Sequence, residues 1–192
     1  MAIVPVRIYG DPVLRQRAAE VSTFDEALRQ LAADLRDTMH AYNGVGLAAT
    51  QVGVLQRLLV VDVPLDEEGD SRAIHSLVNP VFLERTSSQS AEEGCLSIPG
   101  IYEDVTRALK IRVRFQDETG KSQTLEAEGY LARAIQHEVD HLDGVLFVDR
   151  LSLLKRQFLR RPLEALARGE LPEGYAPPAT RAIHEPPAES AR

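Results

Sequence analysis

Apolar and polar positions alternate along this chain with two different periods, each confined to its own stretches. Phe24, Leu28, Leu31, Leu35 and Met39 recur at spacings of three and four, which predicts a helix over Asp25–Tyr42. Thr23 with Glu26 three places on forms a capping box for its start. Asn43-Gly44 supplies the stop, because both residues tolerate the left-handed conformation. Leu131, Ala134, Ile135 and Val139 mark a second helix over Tyr130–Leu142, with Gly144 just past its end. A last helix spans Ser152–Arg168, interrupted or kinked at Pro162.

The other period is two. Lys110–Gln116 places Ile111, Val113 and Phe115 on one side and Lys110, Arg112 and Arg114 on the other, the pattern of a half-buried strand. Asp117-Glu118-Thr119-Gly120 reads as a hairpin connection and Lys121–Glu128 as its partner. Arg57–Val63 is strand-like, followed by Pro64 and the acidic loop Asp66–Asp70. Ser76–Glu84 is extended, with Pro80 at a bulge or edge. Residues 3–9 read as a short extended segment and Gly10-Asp11-Pro12 as a turn. Strands thus precede and surround one central helix, without a repeating β-α-β unit. The expected class is α+β, with mixed, mainly antiparallel sheets around the central helix and a C-terminal helix. Residues 1–169 form one domain. From Glu170 onward the chain is rich in Pro and Ala, with five of the eleven prolines and no period, so residues 170–192 are expected to be a mobile tail.

Composition narrows the function classes. The 192 residues are 44% apolar and 27% charged, ordinary values for a soluble globular protein. A chain of that length buries roughly 70% of its unfolded surface and needs no disulfide or metal merely to fold. The net charge of −7 lacks the footprint of a duplex nucleic-acid binder, and 5% aromatics with no Trp argue against base stacking. No basic start leads into a long apolar stretch, and no apolar run reaches the ~20 residues of a membrane span. The expected location is the cytoplasm, with no membrane partner. The single cysteine, Cys95, excludes an intramolecular disulfide and leaves four roles: core filler, nucleophile, redox centre or metal ligand.

The strongest chemical signal is His137-Glu138-Val139-Asp140-His141. On a helix, positions i and i+4 share a face, so two imidazoles there can bind one divalent ion, with Glu138 placed as general base to an activated water. A catalytic site of this kind takes a third protein ligand. An extended motif would put a histidine at position 147, which is Phe147. Cys95, in Glu92-Glu93-Gly94-Cys95-Leu96-Ser97, is the remaining candidate. A third segment, Gly44-Val45-Gly46-Leu47-Ala48-Ala49-Thr50-Gln51, has two glycines but lacks the lysine of a phosphate-binding loop. It reads either as a plain helix-to-strand turn or as a close approach to a peptide backbone, with Gln51 an amide donor. His40, His75 and His184 have no ligand spacing.

Together, Gly44–Gln51, Glu93–Ser97 and Gln136–His141 resemble, in order and spacing, the three signature motifs of bacterial peptide deformylases, over residues 3–165. The resemblance implies a metal-dependent hydrolase. It removes the formyl group from the N-terminal formyl-methionine of newly made polypeptides and releases formate. It implies one divalent ion per chain held by Cys95, His137 and His141: Fe²⁺ natively, with Zn²⁺, Ni²⁺ or Co²⁺ able to take the site. It implies that the ion would activate a water for attack on the formyl carbon, with Glu138 as general base and acid. By the same resemblance, the Gln51 amide and the Leu96 backbone N–H would stabilise the oxyanion. The resemblance further implies that substrate pairs with the Val45–Gly46 segment and near Gly94, and that Val45, Leu96, Arg133, Ala134 and His137 surround the methionine side chain, with Arg133 offering its aliphatic stem. Two other readings use the same motifs: a zincin-type endopeptidase and a metal-stabilised binding module. The segment 150–168 carries six basic residues against Glu164, a local charge of +5. It reads as a solvated helix face or, by resemblance, as a surface docking to ribosomal RNA. The protein is expected to be a monomer.

Overall fold

The computed structural model describes residues 2–65 and 71–180. The acidic loop Asp66–Asp70 and residues 181–192 of the expected tail lie outside the described residues.

The strands are β1 (Gly46–Ala48), β2 (Leu58–Pro64), β3 (Arg72–Thr86), β4 (Gln89–Cys95), β5 (Ile98–Arg107), β6 (Lys110–Gln116) and β7 (Ser122–Glu128); the helices are α1 (Glu26–Ala41), α2 (Gly129–Leu142) and α3 (Leu153–Ala167). One sheet has the order β1-β2-β3-β6-β7, and β4-β5 is a separate hairpin. Every named strand pair is antiparallel, so the α+β expectation holds.

The run Leu58-Leu59-Val60-Val61 explains the architecture. A strand buried on one face alternates; this one is fully buried at every position, because both faces are covered. Leu58 and Val60 join Leu28, Ala32, Leu35 and Met39 of α1 in one core. Leu59, Val61 and Val63 join Val113, Ala132, Ile135 and Val139 in a second, against α2. The sheet is therefore sandwiched between the two helices, with α2 buried from Leu131 to Leu142. A third core, Leu14, Ile98, Phe147, Leu163 and Leu166, attaches α3 to β5.

Four details differ from the sequence expectation. The N-cap of α1 is Asp25, whose carboxylate accepts the Leu28 N–H at 3.0 Å, so Thr23 forms no capping box. An aspartate there also favours the positive end of the helix dipole. The segment 3–9 forms no strand; Arg7 N–H donates to Gln51 O at 2.7 Å and Tyr9 N–H to Ser97 O at 2.8 Å instead. Pro162 lies within a continuous α3. The hairpin β4-β5 is new, and it carries Cys95. The bulge expected at Pro80 is present as a register shift between Val78 and Val81.

Candidate metal centre and cleft

Three elements deliver the site. Helix α2 carries His137 and His141 one turn apart, with Glu138 next to His137, and all three are buried. The end of β4 brings Cys95. The segment from β1 into a short 3-10 turn (Ala49–Val52) brings Gln51. Thr50 Oγ1 donates to His141 O at 3.1 Å and ties that turn to α2.

Cys95, His137 and His141 each offer a ligand atom, and all three atoms lie within 4.8 Å of one another. Cys95 Sγ is 3.1 Å from His141 Nε2, and the two Nε2 atoms are 3.3 Å apart. A thiolate and two imidazole nitrogens, converging with the buried Glu138 alongside, suit a tetrahedral divalent ion with one open position. The donor set thus fits the metal implied by the motif.

Hydrogen bonds fix the orientation of His137. Glu93 Oε2 sits 3.0 Å from His137 Nδ1, and Glu93 also accepts two hydrogen bonds from Arg107, at 2.5 and 2.8 Å, and one from Arg133 at 2.6 Å. Burial alone would raise its carboxyl, but the partners His137 and Arg107 outweigh that and lower it to about 2. Arg107 reaches on to Asp140 at 2.7 Å, and Asp140 is clamped again by Arg150. A buried ionic chain thus runs from His137 to α2's own last turn.

Burial opposes charge on His137 too, yet its hydrogen bonds to Cys95 and Glu93 raise it to about 10. His141, buried and next to His137, is lowered well below the ordinary range. Burial pushes Glu138 up to about 7, and its Oε2 has no hydrogen-bond partner among the described residues.

Glu138 needs room on one side. A Cβ placed on Gly46 would fall 2.5 Å from Glu138 Oε1, closer than real contacts allow, so any larger residue there must displace the Glu138 carboxylate. Gln51 is held by its own oxygen, which accepts the Ala48 N–H at 2.8 Å. Its Nε2 is thereby turned toward Ser97 Oγ at 3.3 Å and Cys95 Sγ at 3.7 Å.

These groups open onto a cleft of about 560 Å³. Val45, Gly46, Gln51, Gly94, Cys95, Leu96, Arg133, Ala134, His137 and Glu138 line it, and His141 is buried behind them. Arg133 turns its guanidinium away, donating to Glu93 Oε1, Val105 O, Ala91 O and Gln89 O. Two walls flank α2: the edge strand β1 and the β4-β5 hairpin. Nothing in the sequence pattern marked Glu93 as the hub of the ionic chain. Its only signal was membership in the cysteine motif. The residues Tyr42, Tyr102 and Tyr130 at the mouth carried no signal at all.

The expected tail also reaches the cleft. Gly174, Tyr175, Ala176 and Pro178 line it. Among the described residues no helix is long and apolar enough to cross a membrane.

Residues 3–157 match the family model described as polypeptide deformylase. The peptide deformylase of Alkalilimnicola ehrlichii is 52% identical over 168 residues, which are 88% of this chain and 93% of that relative. A crystal structure of a peptide deformylase from Legionella pneumophila is 44% identical and superimposes with a TM-score of 0.78, over 88% of this chain and 98% of the other. The peptide deformylase from Ehrlichia chaffeensis, solved in complex with actinonin, is 36% identical with a TM-score of 0.81, over 88% and 99%.

Proposed function

The chain belongs to the peptide deformylase family, metal-dependent hydrolases that take the N-formyl group from nascent peptides, and we propose that Cys95, His137 and His141 hold its metal while Glu138 moves the proton. Membership sets aside the endopeptidase and binding-module readings. The observation that carries the residue roles is one thiol and two imidazoles within 4.8 Å, beside a buried carboxylate oxygen with no partner among the described residues.

When bound, the ion supplies Lewis acidity, which polarises the formyl oxygen and lowers the pKa of water toward about 7. Glu138 takes the water proton and returns it to the leaving amine, as a positioned general base and acid. The Gln51 side-chain N–H and the Leu96 backbone N–H donate to the developing oxyanion; one such donor is commonly worth ~3 kcal/mol. A formyl carbon bears only hydrogen, so a cramped site around it rejects acetylated chains.

Substrate adds as an extended strand between the β1 edge at Val45–Gly46 and the hairpin at Gly94. Val45, Leu96, Ala134, His137 and the aliphatic stem of Arg133 form the methionine slot, since the Arg133 guanidinium is bound elsewhere. The native ion is Fe²⁺, with Zn²⁺, Ni²⁺ or Co²⁺ as substitutes. The enzyme works as a cytoplasmic monomer.

The deciding experiment is formate release from a formyl-Met tripeptide by anaerobically purified protein, with metal analysis of the same sample. One equivalent of metal with formate release supports the roles. A metal-loaded enzyme that retains full turnover after Glu138→Ala removes Glu138 from its role.

Helix α3 supports the ribosome-docking proposal. Lys155, Arg160 and Arg168 are paired with Glu103, Glu164 and Glu170, while no ion pair holds Arg156 or Arg161 among the described residues. Leu153, Leu154 and Phe158 are largely exposed beside them. The double substitution Arg156→Glu/Arg161→Glu should weaken ribosome binding and flatten its salt dependence; unchanged binding would sink the docking role.

A further inference from the structure

The family match ends at residue 157, and the cleft has a wall beyond it. Helix α3 is anchored by Leu163 and Leu166 in the third core. It ends in a Schellman cap: Gly169 N–H donates to Leu166 O at 2.9 Å and Glu170 N–H to Ala165 O at 3.0 Å. The chain therefore leaves α3 in a set direction. Pro172 then lies against Gly100 of β5, with its Cγ 2.8 Å from where a Cβ on Gly100 would stand.

A β-turn follows at once. Tyr175 N–H donates to Pro172 O at 3.0 Å, and Gly174 sits at φ +78°, the conformation that the third position of a type II turn demands. The turn carries Tyr175 to Tyr42, at the end of α1. Burial and the nearby Tyr42 phenol both raise its hydroxyl. The segment thus runs from the β4-β5 lip of the cleft to the α1–β1 lip. Pro172, Tyr175 and Pro178 are half-buried, while their neighbours Glu173, Ala176 and Pro177 are exposed. Three prolines in seven residues lower the entropy cost of holding this path. The cleft stays open beneath it, so the segment bounds the cavity without filling it.

We propose that residues 172–178 are a strap forming the outer wall of the peptide cleft, and that Tyr175 selects substrates by the residues following formyl-methionine. The strap's cleft-lining groups carry no formal charge: the Gly174 backbone, the Tyr175 ring, Ala176 and Pro178. Tyr42, Tyr102 and Pro99 line the same cavity. Such a wall favours apolar side chains at the second and third substrate positions and offers nothing to a dipeptide too short to reach it. The inference rests on the cleft being the peptide site.

The test compares formyl-Met-Ala with formyl-Met-Leu-Phe on the full-length, metal-loaded enzyme. Tyr175→Ala should raise KM for formyl-Met-Leu-Phe about five- to tenfold, the effect of losing a partly buried ring, and leave kcat and the dipeptide KM within about twofold. Tyr175→Phe should behave as wild type, because the ring is the contact. Equal KM values in wild type and Tyr175→Ala would overturn the strap's role. So would a lower KM in Tyr175→Ala, which would make the strap an obstruction, or an equal loss of kcat on both peptides. Wild-type turnover tests the site itself; the wild-type to variant ratio tests the strap.

Discussion

His137 Nδ1 stands 3.0 Å from Glu93 Oε2, which leaves Nε2 as the ring atom facing His141. A carboxylate on the outer nitrogen fixes the ring's orientation and raises its basicity toward a metal. Glu93→Gln should lower metal affinity roughly 10- to 100-fold, the usual cost of losing such a partner. The same change leaves Arg107 and Arg133 buried with a weaker acceptor, and should cost on the order of 3 kcal/mol of unfolding free energy. Competition with a calibrated chelator and urea unfolding measure the two effects.

Gly46 faces Glu138 with no space for a methyl group. In Gly46→Ala the carboxylate must shift, while Cys95, His137 and His141 are untouched. Turnover of a formyl-Met tripeptide should fall about 100-fold, the scale of an ångström's misplacement of a reacting group. Metal content by elemental analysis should stay near wild type. A variant that lost its metal instead would show that Gly46 serves the fold of the site and not the placement of Glu138.

Metal and fold should be linked through Cys95. An ion that binds only the folded state at 100 times its Kd adds about 2.7 kcal/mol of stability. Chelation should therefore lower the melting temperature of wild type. Cys95→Ala should bind little metal and melt at the same temperature with or without chelator. A chelator-sensitive Cys95→Ala would place the third ligand elsewhere.

The β6-β7 hairpin predicts an acid-dependent loss of stability at Asp117. Hydrogen bonds from the Thr119 hydroxyl and the Gln123 amide, with the Thr119 and Lys121 backbone N–H groups, lower its carboxyl to about 2. In the unfolded chain it titrates near about 3.9. The stabilisation is fully present above that value and is lost as pH falls from about 4 to about 2. Asp117→Asn should be less stable at pH 6 and show a shallower decline through this window in thermal melts.

The sequence by itself determined the helices, the strands β2, β6 and β7, and the histidine pair on α2. The helices and β6 have a strong local period, with Leu28, Leu35 and Met39 facing the core of α1 and Ile111, Val113 and Phe115 alternating on β6, whereas β2 shows as an unbroken apolar run. His137 and His141 share a face because helical geometry alone puts them one turn apart. Tertiary structure decided what those residues meet. In β4, only Glu93 is fully buried, and that is a carboxylate, so no apolar alternation announces the strand. It exists through pairing with β5, and that pairing carries Cys95 across 42 residues to His137. Glu93 becomes a hub only because Arg107 on β5 and Arg133 and His137 on α2 converge on it. The tail shows the same limit. Pro and Ala without a period encode no local structure, and the cap at Gly169 and the turn at Gly174 bring Tyr175 to the cleft. Local pattern reports which face a segment buries. Only the packed fold reports which distant charges, thiols and rings come to share that burial.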